Sequence, residues 1–124
     1  MTFNHNGHHT SDCPSGTIEH CMKNNIELQA WGSLSQGIYS MDNTDVTENI
    51  KKTRTVVTEL AEKYDTSKAS IVLAWLMKHP SAIRPIVGSK NPSRILELRD
   101  ASKINLGHLE WYRLFTASRG QVIP

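Results

Sequence analysis

The sequence predicts an α/β fold with parallel strands, forming part of a larger sheet. Two short runs with extended character, residues 27–31 and 83–87, alternate with helical segments. Alternation of that kind implies parallel pairing through right-handed crossovers. Each run leads into a loop rich in Gly, Ser and Asn. Two parallel strands are too few for a complete sheet, because parallel sheets are covered on both faces and their edges demand partners.

Residues 1–14 are polar and rich in Asn, His and Gly, and are read as an irregular segment ahead of a folded part over 15–124. Ser15 is placed to cap a helix over 17–24, which ends at the turn-prone pair Asn24-Asn25. The strand 27–31 follows, then a long loop over 32–45. Thr47 or Asp45 starts a helix to Tyr64, with Ile50, Val57, Leu60, Ala61 and Tyr64 on one face. Ser67 caps the next helix, over 69–78. Its run 71–77 is apolar on all sides, so it should be buried or covered by another chain. His79-Pro80 stops it, because a residue before proline avoids helical angles. After the strand 83–87, Asn91 caps a helix to Ala101, with Pro92 in its first position. A last helix spans 107–118, from a weak glycine cap at Gly107 to a stop at Gly120.

Composition narrows the function classes. The chain has 124 residues, 38% hydrophobic and 21% charged, as in ordinary globular domains. Its formal net charge of +2 is too small to make nucleic acid the main partner. No run reaches the roughly 18 apolar residues of a membrane span, and the start MTFNHNGHHTSDC lacks the apolar segment of a secretory signal. Cys13 and Cys21 form no CxxC pair, which fits reduced thiols in a cytoplasmic protein. His5, His8 and His9 are loosely spaced without a carboxylate cluster, so no metal site is expected.

The segment 83–97, IRPIVGSKNPSRILE, carries the most chemistry. An apolar run breaks at Gly88-Ser89, Asn91-Pro92 opens a helix, and Arg94 lies in its first turn. Main-chain N–H groups and the positive end of the helix dipole attract an anion, and a guanidinium grips it through paired hydrogen bonds.

Four segments in order resemble the C-terminal portion of the aldo-keto reductases, nicotinamide-dependent (β/α)8 barrel enzymes. Residues 29–37, QAWGSLSQG, resemble the AWSPLGQG loop after the seventh strand. Residues 67–80, SKASIVLAWLMKHP, resemble the family's S-x-x-Q-v-a-L-a-W helix. Residues 85–94, PIVGSKNPSR, resemble its P-I-x-G-[ST]-x-x-x-x-R cofactor motif, and residues 106–114, LGHLEWYRL, its L-S-x-E-E-W-x-x-L helix. The expected fold is therefore a partial (β/α)8 TIM barrel, comprising the last two or three βα units. Barrel enzymes often bind phosphate with the loops after strands seven and eight.

The resemblance implies NADP(H) as cofactor. Trp31 matches the aromatic that stacks on the nicotinamide. Gly32, Ser33 and Leu34 match the loop over the pyrophosphate. Gly88 belongs to the phosphate turn, Ser89 and Arg94 match the residues that hold the 2′-phosphate, and Lys90 stands beside them as a second cation. Glu97 matches a contact to the adenine amino group. The family's catalytic tetrad (Asp, Tyr, Lys, His) lies on early strands that have no counterpart here, so no catalytic residue is assigned and the isolated chain is expected to be inactive. The competing expectation is a non-catalytic fold remnant, an oligomerising or weakly nucleotide-binding module. Its open sheet edges would take a second copy or a complementing chain.

Overall fold

The computed structural model describes residues 16–42 and 45–120. The expectations for the polar start, for Ser15 as a cap, for Cys13 and for His5, His8 and His9 fall outside these residues. Along the chain run α1 (Thr17–Lys23), β1 (Gln29–Ala30), α2 (Glu48–Lys63), α3 (Lys68–Met77), β2 (Arg84–Pro85), α4 (Pro92–Arg99) and α5 (His108–Arg119). Short 3₁₀ turns lie at Ser35–Gly37 and Asp100–Lys103. This is the expected order of elements.

The strands pair side by side and in parallel, with Gln29 opposite Arg84 and Ala30 opposite Pro85. Both are shorter than their extended runs, because a ladder extends only where a neighbour accepts and donates, and each strand has one neighbour among the described residues. The Arg84 N–H donates to the Leu28 carbonyl at 2.8 Å, and the Ile86 N–H to the Ala30 carbonyl at 2.9 Å. Pro85 falls between these donors, at the position whose N–H would face the open edge, where a proline removes no ladder bond.

Helix α3 is the centre of the molecule. Ser67 caps it, its Oγ accepting from the Ser70 N–H at 3.1 Å. Ile71, Val72 and Ala74 pack into the main core with Val57 and Leu60 of α2, Leu106 and Leu114. Leu76 packs under the sheet with Ala30 and Ile83. Leu73 packs against Leu98 and Ala101. One helix thus serves three neighbours, which accounts for its lack of a polar face. It is covered within the chain itself, so it gives no reason to invoke a second one.

Helices α2 and α5 close the other side. Gly107 supplies no side-chain cap, but Glu110 does the work from inside α5: its Oε2 accepts from the Gly107 N–H at 2.7 Å and from the Tyr64 hydroxyl at 2.7 Å. Its other oxygen takes the Lys63 ammonium. Trp75 and Trp111 exchange indole–carbonyl hydrogen bonds, at 3.2 Å and 3.0 Å.

Candidate functional site

The site lies past the C-terminal ends of the two strands. The Ser33 hydroxyl donates to the Ile86 carbonyl at 3.2 Å, fastening the loop after β1 to the end of β2. The Arg54 Nε donates to the Ile38 carbonyl at 2.7 Å and ties the far part of that loop to α2. Helix α4 is seated on α3 by Leu98 and Leu73, and by the Ser70 hydroxyl, which donates to the Glu97 carbonyl at 3.2 Å. Between the loop, the N-terminal turn of α3 and the face of α4 opens a cleft of about 560 Å³. That falls in the ~300–1,000 Å³ range of ligand pockets.

Five of the residues singled out from sequence line this cleft: Leu34, Gly88, Ser89, Arg94 and Glu97. The other four stand apart from its walls. Ser33 is buried and used as the tie between loops. Gly32, at φ 62°, makes the turn that leaves β1. Lys90 is exposed just beyond the 88–89 turn. Trp31 is 71% exposed and belongs to none of the core clusters formed by the described residues.

The anion-attracting features expected of 83–97 can be inspected one by one. Asn91 caps α4, its Oδ1 accepting from the Ser93 N–H at 3.0 Å, with Pro92 in the first turn. The Asn91 N–H donates to the Ser89 hydroxyl at 3.2 Å, which shapes the turn. The main-chain N–H groups of Gly88, Ser89 and Lys90 meet no acceptor among the described residues. Arg94 and Lys90 likewise form no ion pair or hydrogen bond with any described residue. Among the described residues, unspent main-chain donors and the Arg94 guanidinium therefore share one cleft, with Lys90 just outside it.

Sequence reasoning missed the opposite wall, built by Gln36, Gly37, Ser40 and Met41 of the loop, and by Ser67, Lys68 and Ala69 of α3. Only the tertiary fold brings α3 to this place. One local sign is steric: Ser35, Gln36 and Gly37 all take positive φ (47°, 58° and 81°), a strained run where the loop bends over the cleft.

Parallel strands joined through covering helices, with a cleft at the strand ends, define a segment of a (β/α) barrel. The chain belongs to the aldo/keto reductase family, whose model matches residues 2–117. It is 34% identical over 110 residues to YcsN, an uncharacterised oxidoreductase of Bacillus subtilis (strain 168), covering 88% of this chain and 36% of that protein. It is 29% identical over 114 residues to a 6-dehydroglucose reductase of Novosphingobium aromaticivorans, covering 91% and 36%. Among solved structures it resembles the thermostable aldo-keto reductase Tm1743, with a TM-score of 0.68 and 25% identity, covering 82% of this chain and 33% of that one. The Giardia lamblia aldose reductase shares the fold at a TM-score of 0.63 and 19% identity, covering 89% and 34%. The chain thus spans about a third of the length of these relatives (36% and 33% for the first of each kind). Among the described residues no helix is long and apolar enough to cross a membrane.

Proposed function

We propose that this chain is the cofactor-phosphate end of an NADP(H)-dependent aldo-keto reductase, cytoplasmic, with residues 15–124 as the part that belongs to the barrel. The observation that carries the reading is Arg94: a guanidinium without a partner among the described residues, on the same cleft as the 88–89 turn and in the first turn of a capped helix. The residues present fit the group. Arg94, Ser89 and the turn at Gly88 would hold the 2′-phosphate, with Lys90 adding charge at the rim. Glu97 would accept from the adenine amine, Leu34 with Gly32 and Ser33 would cover the pyrophosphate, and exposed Trp31 would stack on the nicotinamide. Bound there, the cofactor supplies hydride for carbonyl reduction.

The proton donor of such a reaction is assigned to residues outside this sequence. Tyr39 is buried, and burial pushes its hydroxyl pKa up, away from acid catalysis. The Tyr64 hydroxyl donates to Glu110, on the side of α2 and α5 rather than on the cleft. The chain therefore binds and orients, and turns over no aldehyde alone.

Calorimetric titration tests this. NADPH is expected to bind the 124-residue chain at least about tenfold tighter than NADH, since the extra phosphate meets a charge-assisted pair. Arg94→Ala should abolish the preference, and added salt should weaken NADPH more than NADH. Equal affinity for both nucleotides, or no salt effect, overturns the reading.

A second reading rests on the sheet. Both strand edges are open among the described residues, and Trp31, Ile86 and Val87 stand exposed around them. Such edges recruit other strands. A second copy or a complementing chain is expected to dock there. Sedimentation velocity showing a monomer at every concentration, with and without nucleotide, removes the second copy.

A further inference from the structure

We infer that Lys68 is a second anion anchor of this cleft, set to hold the pyrophosphate of the dinucleotide whose 2′-phosphate meets Arg94. The inference rests on the reading just given and adds a residue that the 88–94 segment does not contain.

Lys68 is the first residue of α3, directly after the Ser67 cap, and lies on the cleft wall opposite α4. Its side chain keeps 33% exposure, against 64% for Lys63 and 71% for Lys103, which reach into solvent. Lys68 is thus laid along the cleft rather than projected away from it. A cation at a helix start opposes the helix dipole. That position costs stability unless a negative charge comes close.

The only carboxylate within ion-pair distance of it among the described residues is Asp42, at 3.7 Å, and that side chain is 92% exposed. A pair so long and so wet contributes little. Asp42 belongs to the loop whose Leu34, Gln36, Gly37, Ser40 and Met41 form the roof of the cleft. The cleft therefore has two cationic points on two different helices, with Glu97 and the apolar Val87 and Leu98 also on its walls. NADP has two anionic groups separated by an adenosine. One cleft that carries a cation on each of two helices, together with an apolar and acceptor surface, offers a partner of the right kind to each part of that molecule. The loop carrying Asp42 would give up its weak hold on Lys68 as the pyrophosphate takes the ammonium.

The test uses three probes on the whole chain, by calorimetry: NADPH, NADH and adenosine 2′-monophosphate, which has the 2′-phosphate and no pyrophosphate. Lys68→Gln is expected to weaken NADPH and NADH by the same factor, about tenfold, the loss typical of one charge-assisted phosphate contact. It should leave the 2′-monophosphate within twofold, while Arg94→Ala weakens that probe strongly. Lys68→Arg should restore most of the dinucleotide affinity, which a merely structural role would not require. Asp42→Asn, a change at an exposed side chain, should tighten both dinucleotides about twofold by releasing the ammonium. A melting temperature for Lys68→Gln at or above that of the parent confirms that the variant folds, since the substitution removes a cation from a helix start. The inference is overturned if Lys68→Gln changes dinucleotide affinity less than twofold, or if it weakens the 2′-monophosphate equally. If Arg94→Ala separates NADPH from NADH while Lys68→Gln does nothing, this inference alone fails. If the parent chain binds none of the three probes, both readings fail together.

Discussion

The two ends of this molecule solve the problem of unsatisfied groups in opposite ways. At the helical end, α2, α3 and α5 leave little unspent. Glu110 takes three donors, Trp75 and Trp111 satisfy one another's indoles, and Arg113 reaches Glu59 at 2.6 Å. At the sheet end, among the described residues, the N–H groups of 88–90 and the guanidinium of Arg94 are left over, and large apolar side chains stand exposed at Trp31, Ile86, Ile95 and Leu96. The first end satisfies its own polar groups. The second is shaped for things that are not part of this chain, a nucleotide in the cleft and further strands at the edges.

The largest test of that contrast removes core volume. Ile71 is fully buried, and Ile71→Ala should cost about 3–4 kcal/mol in chemical denaturation. Leu109 is the control: it is 82% exposed, and Leu109→Ala should stay within about 0.5 kcal/mol. Equal losses at the two sites would erase the distinction between core and surface at the helical end.

A smaller effect comes from Glu110. Burial pushes its carboxyl pKa up, but hydrogen bonds from Lys63, Tyr64 and Gly107 outweigh that and hold it at about 2. Folding therefore favours the ionised form. Its contribution is full above the ordinary value of 4.5 and is lost as pH falls through that value toward about 2. Glu110→Gln should destabilise the chain by about 1–2 kcal/mol at neutral pH, since a charged acceptor is lost. The gap between parent and variant should close in acid melts; a gap constant from pH 7 to pH 3 contradicts the assignment.

At the sheet end the expected changes are smaller still. Asn91→Ala removes the α4 cap and should cost about 1 kcal/mol, with a matching loss of nucleotide affinity because the first turn of α4, which carries Arg94, frays. Gln36→Gly relieves a positive φ and should raise the melting free energy by about 0.5–1 kcal/mol. A loss of stability there shows that the Gln36 side chain, not its backbone, holds the loop.

Much of this was legible because it is local. Ser67, Asn91-Pro92 and His79-Pro80 carry their instructions within a few residues, and the helices start and stop where those residues say. The uniformly apolar run in α3 announced burial, and the fold explains it by giving the helix three neighbours. The strands read longer than they are, since extended propensity survives in sequence where no partner strand exists to pair with it. Gly107 read as a poor cap because its compensation comes from Glu110, three residues later and also bonded to Tyr64 on another helix. Arg54 of α2 spends its Nε on the Ile38 carbonyl, a partner in the preceding loop that no neighbouring residue points to. Half of the cleft was readable from 88–97. The other half, with Lys68, was not, because nothing near residue 68 in sequence says that α4 will lie across from it.

The exposure of Trp31 has a practical outcome. The other two tryptophans are locked in a mutual embrace, half-shielded from water, while this one looks into solvent at the mouth of the loop. Iodide should therefore darken one emitter and spare two, so the molecule carries its own optical gauge. Shielding of that red-shifted component by an intact dinucleotide, but not by its adenosine half, would report where the far ring comes to rest.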